Sequence, residues 1–147
     1  MERLALPDHL QGVFFDTIWQ TSKVWALPTP PSTRTLEQLQ WHLELTVWST
    51  VPGEPRFDLS PAHVLTSPDV SPRQWARIFK ADLARPLELF QNRQRWVIVD
   101  GYHRLAMHWL RASAMIPVRL HPASLWRMVR TIPAGPVGAL NSVGVSR

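Results

Sequence analysis

Between Trp96 and Leu110 the apolar pattern changes period across two residues, and that change limits the folds open to the chain more than any other feature. Trp96-Val97-Ile98-Val99 is an unbroken apolar run, as in a strand covered on both faces. After Asp100-Gly101, the residues Tyr102, Leu105, Ala106, Trp109 and Leu110 fall at i, i+3, i+4, i+7 and i+8, the spacing of one helical face. A buried strand that feeds straight into an amphipathic helix needs a common layer in which both hide their apolar faces.

Neighbouring segments extend this unit. Leu87 to Phe90 reads as a second strand, joined to Trp96 to Val99 through Gln91-Asn92-Arg93-Gln94 at hairpin spacing. Ile116-Pro117-Val118-Arg119-Leu120 reads as a third, with Pro117 placed as a first-position or edge proline. Ser71-Pro72-Arg73-Gln74 combines a capping serine, a proline at the first helical position and a glutamine at the third. The spacing predicts helices near 72–84 and 102–112 and strands near 87–90, 96–99 and 117–120. The fold class expected is therefore α/β (α+β), a small mixed sheet with flanking helices. Trp75, Ile78, Phe79, Val97, Val99, Leu105, Trp109 and Val118 are its expected core.

Outside this unit the pattern is weaker. Residues 8–19 allow a short helix weakened by Gly12, and Val24-Trp25-Ala26-Leu27 reads as a short strand or extended arm. Pro28-Thr29-Pro30-Pro31 is a rigid connector. Thr35-Leu36-Glu37-Gln38 has capping-box spacing, and Leu36, Leu39 and Leu43 share a face, so a helix is expected over 36–44. Phe57-Asp58-Leu59 and His63-Val64-Leu65 around Ser60-Pro61 suggest a strand turning into a loop, and Leu125 to Arg130 a last helix capped by Ser124. The expected organisation is an N-terminal extension, residues 1–55, packed through Trp25, Leu36, Leu39, Trp41 and Leu43 on a domain of residues 56–130, with a flexible tail over 131–147.

Charge separates the two halves. Residues 1–70 hold four basic and eight acidic side chains, whereas residues 71–130 hold eleven basic against three acidic. Such a basic half suits an anionic partner, and DNA is one such partner; pairing within the fold is the alternative. The chain has no cysteine, which excludes disulfides, thiolate metal sites and thiol catalysis. No apolar stretch approaches the roughly 20 residues of a membrane span, and the first residues lack a secretory layout, so no membrane partner and a cytoplasmic location are expected.

The chemistry is concentrated at Asp100-Gly101-Tyr102-His103-Arg104. A helix start attracts anions, and His103 and Arg104 place basic groups in its first turn, where positive charge opposes the helix dipole. A phosphate as third party accounts for that arrangement. The alternative is that Asp100 caps the helix, Gly101 makes the turn and Arg104 meets a local carboxylate.

Strand, Asp-Gly-x-His-Arg-Leu, helix, then Ile-Pro-Val-Arg on a returning strand resembles the ParB/sulfiredoxin superfamily, and Ala81-Asp82-Leu83-Ala84-Arg85-Pro86-Leu87-Glu88-Leu89 is similar to the segment that precedes its phosphate-binding turn. The resemblance covers roughly residues 56–130. It implies a nucleotide-binding domain that takes ATP or CTP, with Mg2+ as a further cofactor. Gly101, Tyr102, His103 and Arg104 would hold the phosphates, with Arg77 and Arg85 as supporting basic residues. Asp100 would be the catalytic group, in magnesium or substrate binding. Tyr102 stands where sulfiredoxins carry cysteine, which excludes sulfinic-acid reduction. No helix-turn-helix pattern follows, so partition-site reading is not expected.

Two functional classes follow: a nucleotide-dependent kinase or triphosphate hydrolase, or a non-catalytic DNA- or protein-binding accessory module of a partition, plasmid or toxin system. A two-metal nuclease ranks below both for want of clustered carboxylates. His103 and His108 are five apart and supply no metal pair on one face, so no metal site is assigned. Arg104, His108 and Arg111 share a face that reads as a solvated stripe or a basic surface, and Trp75 and Trp109 read as core rather than as base-stacking platforms.

Overall fold

Gly101 is the hinge on which the architecture turns: its φ of +123° is open to few side chains, and it lets the chain leave a strand and enter a helix at once. The computed structural model describes residues 6–15, 17–54 and 56–131. Four strands, β1 (Pro31–Thr35), β2 (Leu87–Asn92), β3 (Arg95–Asp100) and β4 (Met115–His121), form a mixed sheet in the order β1-β4-β2-β3. The helices are α1 (Thr21–Trp25), α2 (Leu36–Leu39), α3 (Pro61–Thr66), α4 (Pro72–Phe79), α5 (Tyr102–Leu110) and α6 (Trp126–Val129). The expected α/β class with flanking helices is the one found.

The chain divides into two compact units, neither continuous in sequence. The first takes Met1–Pro30, Glu88–Asp100 and Leu120–Arg147. Its core joins Phe15, Trp19, Val24 and Leu27 to Phe90, Val99 and Val129, and Trp126 stacks on Phe15 with ring centroids 3.8 Å apart. Its antiparallel hairpin, β2 with β3, turns through Arg93 and Gln94, both at positive φ as a tight two-residue hairpin requires.

The second unit takes Pro31–Leu87 and Gly101–Arg119. Here α5 packs against α2, α3, α4 and the 3-10 turn at Gln40–Glu44. Thr35 caps α2 through a complete capping box with Gln38, and Leu39 and Leu43 are buried as expected from their spacing. The boundary expected at residue 55 falls inside this unit. Of the expected tail, Thr131 donates its backbone N–H to the Ile18 carbonyl, and residues 132–147 lie outside the described residues.

Several expectations are corrected. Residues 24–27 are not a strand: Val24 and Trp25 end α1, where Val24 packs into the first unit's core. Residues 63–65 lie in α3, because Ser60 caps His63 N–H and Pro61 takes the first helical position. Pro31, read as the end of the connector 28–31, opens β1, because the backbone of residues 31–35 finds β4 as a partner. Pro117 is on no edge strand; it sits opposite Thr33, in a strand with a neighbour on each side. Ser124 caps nothing and belongs to a 3-10 turn before α6.

The helix phases also differ. Ile78, Val97, Val99, Leu105 and Val118 are buried, but Phe79 and Trp109 are 57% and 43% exposed and Trp75 is half-buried. The buried face of α4 runs through Gln74 and Ile78 instead, since Gln74 has a polar partner inside. Helix α4 stops at Phe79, short of 84, and the Asp82 carboxylate caps the following turn through Ala84 N–H. Phe79 and Trp109 each stand in a last turn with no further turn of their own helix to cover them.

Candidate functional site

The first turn of α5 carries three consecutive residues of the expected site, Tyr102, His103 and Arg104. Glycine at the N-cap brings no capping side chain, and the Leu105 N–H reaches the Gly101 carbonyl at 2.9 Å to close the first turn. The side of Gly101 that lacks a Cβ is filled from within the protein. A Cβ there would stand 2.9 Å from Leu87 Cγ and 3.2 Å from Arg104 Nη2. The glycine thus makes room for the guanidinium of its own helix. Arg104 is buried and donates from Nη1 to the Pro86 carbonyl at 3.1 Å.

His103 is held on two sides. Its ring stacks on buried Trp48, with centroids 4.5 Å apart and planes 19° from parallel. Its Nε2 lies 2.6 Å from Oε1 of buried Gln74 on α4. Burial, followed by the charges of Arg77, Arg73 and Arg104, pushes the imidazole down to about 3. At neutral pH the ring is therefore uncharged, and Nε2 donates to the amide oxygen.

Three guanidinium groups acting on one imidazole define a site of concentrated positive potential. Arg73 and Arg77 sit at i and i+4 on the exposed side of α4. Neither makes a hydrogen bond or ion pair with any of the described residues. Burial, then the charge of Arg73, lowers the Arg77 pKa from its ordinary value, so the cost of holding these charges together is not met by a carboxylate.

The remaining expected residues are placed as follows. Asp100 ends β3 in the first unit and accepts a 2.8 Å hydrogen bond from Trp25 Nε1; the N-cap position of α5 is Gly101. Tyr102 meets the buried His42 ring edge-on at 6.0 Å. Arg85 is exposed in the turn between α4 and β2, where its N–H donates to the Asp82 carbonyl. The face of Arg104, His108 and Arg111 is no solvated or nucleic-acid stripe, because Arg104 and His108 are buried and the His108 Nδ1 pairs with Ser113 Oγ at 2.9 Å. Burial, then Arg111 and Arg104, lowers the His108 pKa.

Sequence reasoning missed Trp48, Gln74 and Arg73. Gln74 has a signal as a cap residue, and Arg73 one as part of a charged face; Trp48 has none, because its position against His103 depends on long-range packing. Among the described residues no group of three His, Asp or Glu side chains is placed to hold a metal ion, and no helix is long and apolar enough to cross a membrane. Set beside known proteins, the chain matches no family model, no curated protein and no solved structure.

Proposed function

We propose that the second unit binds a nucleoside triphosphate, ATP or CTP, through its phosphates at the start of α5, in the manner of a ParB/sulfiredoxin-like domain. The observation that carries this reading is the pair Arg73 and Arg77, two guanidinium groups with no carboxylate among the described residues, beside a helix start whose N-cap is glycine. Oxyanions of phosphate supply both the missing counter-charge and acceptors for a forked guanidinium. His103 lies beside these arginines uncharged, held in place by Trp48 and Gln74; with its one N–H given to Gln74, its Nδ1 is an acceptor. Arg104, turned beneath Gly101, adds its charge to the field and holds the turn.

The residues fit an anion better than a protein-held metal. Among the described residues no three ligands converge, so Mg2+ in this reading arrives on the nucleotide and neutralises phosphate oxygens there. If phosphoryl transfer follows, the chain's part is positioning and charge neutralisation.

Calorimetric titration with ATP, CTP, ADP and GTP, each with and without magnesium, tests the reading. Arg77→Ala should weaken triphosphate binding by about tenfold to a hundredfold, the loss of one charge-assisted contact of about 1.5 to 3 kcal/mol. Unchanged affinity in that variant, with its melting temperature kept, places the phosphates elsewhere. Turnover on addition of a small hydroxyl compound identifies a kinase; binding without turnover identifies the accessory module.

A further inference from the structure

The first unit holds a second polar cluster, not used by the reading above. Thr29, Glu88 and His121 come from the proline-rich segment before β1, from β2 and from the end of β4. The His121 Nε2 lies 2.7 Å from Glu88 Oε1, and its Nδ1 lies 2.6 Å from Thr29 Oγ1. His121 is fully buried and Glu88 nearly so, while Thr29 is only partly buried between exposed Pro28 and Pro30. The Phe90 ring, 4.8 Å from the imidazole, covers it with apolar surface.

The direction of the proton chain follows from the chemistry of its ends. An ionised carboxylate only accepts, so with a neutral imidazole the hydrogen is on Nε2 and points to Glu88. The Nδ1 lone pair then faces Thr29, and the threonine hydroxyl donates to it. A hydroxyl at the protein surface, a base within hydrogen-bond reach, and a carboxylate that fixes the base's tautomer form the relay by which hydroxyl nucleophiles are activated. Thr29 is also held stiffly. It is β-branched, and Pro30 after it restricts its backbone to extended conformations.

We propose that Thr29 is a nucleophile activated by His121 and Glu88, and that it takes an acyl group from a small carboxylic ester. In the step, Thr29 Oγ bonds to the acyl carbon and the ester C–O bond breaks. The threonine proton passes to His121 Nδ1 and from there to the leaving oxygen. Water then attacks the acyl-threonine, giving one proton to His121, which returns it to Thr29 Oγ as the acid departs.

The test uses the full chain and p-nitrophenyl acetate, with nitrophenolate release followed by absorbance and the site of acetylation read by mass spectrometry of quenched digests. The expected result is an acetyl group on Thr29. Thr29→Ser should retain the label, Thr29→Val should lose it with melting temperature preserved, and Glu88→Gln should slow acylation at least about a hundredfold. Intact wild-type chain that carries acetyl only on lysine or the amino terminus, or none, overturns the proposal whatever the variants do. Equal acylation rates in Glu88→Gln and wild type overturn the relay as its cause.

Discussion

His103 is the residue whose surroundings make the sharpest statement. Its imidazole is pushed down to about 3 in the folded protein, against an ordinary value near 6.5, first by burial and then by three arginines. Between those two values the unfolded chain binds a proton that the native chain refuses, so stability is fully present above about 6.5 and declines as pH falls toward 3. The melting temperature should fall over that window, and His103→Gln should fall less steeply, because an amide keeps a hydrogen-bonding partner for Gln74 and does not titrate. A triphosphate bound beside the ring would counter the arginine charges and raise the imidazole's pKa. Nucleotide should thus flatten the same acid decline, which a titration of melting temperature against pH with and without ATP measures.

At the scale of elements, the β2–β3 hairpin pays a local cost for its tight turn. Arg93 and Gln94 take φ of +51° and +67°, where a side chain costs roughly 1 to 2 kcal/mol per residue. Gln94→Gly should raise stability by about 0.5 to 1 kcal/mol in urea or thermal unfolding, with no change in nucleotide binding. Helix α4 shows the opposite balance. Ser71 caps it through Gln74 N–H, yet Arg73 in its first turn opposes the dipole and faces Arg77 at i+4. The like charges cost the helix stability on its own account, so Arg77→Ala tests the proposed phosphate contact without removing a core side chain.

For the whole molecule, the discontinuous units decide what a truncation does. Phe15, Trp19, Val24 and Leu27 supply the apolar cover for Phe90, Val99 and Val129, and Trp126 stacks on Phe15. A chain that begins at residue 31 leaves that surface open to water, at about 25 cal/mol for each Å². The 31–147 fragment should therefore bind the dye ANS and lose a cooperative melting transition. Cooperative unfolding at the parent temperature would show that the first 30 residues are dispensable.

The sequence by itself determined the local decisions. Apolar period placed β2, β3, β4 and α5; Ser71-Pro72 and Thr35 with Gln38 started α4 and α2; Asp100-Gly101 set the strand-to-helix turn. These depend on contacts within a few residues, so short windows contain them. Tertiary structure alone decided which face of a helix is inside and which polar groups meet. Gln74 turns inward because His103, 29 positions away, receives it, and that rotation leaves Phe79 in water. Residues 31–35 become a strand only because β4 is there to pair with them. Arg104 is drawn under Gly101 and out of solvent, Trp48 finds His103, and Thr29 reaches His121 across 92 positions. The physical reason is common to all of them: a buried polar group is stable only with its partner, and no local pattern records a partner from a distant part of the chain.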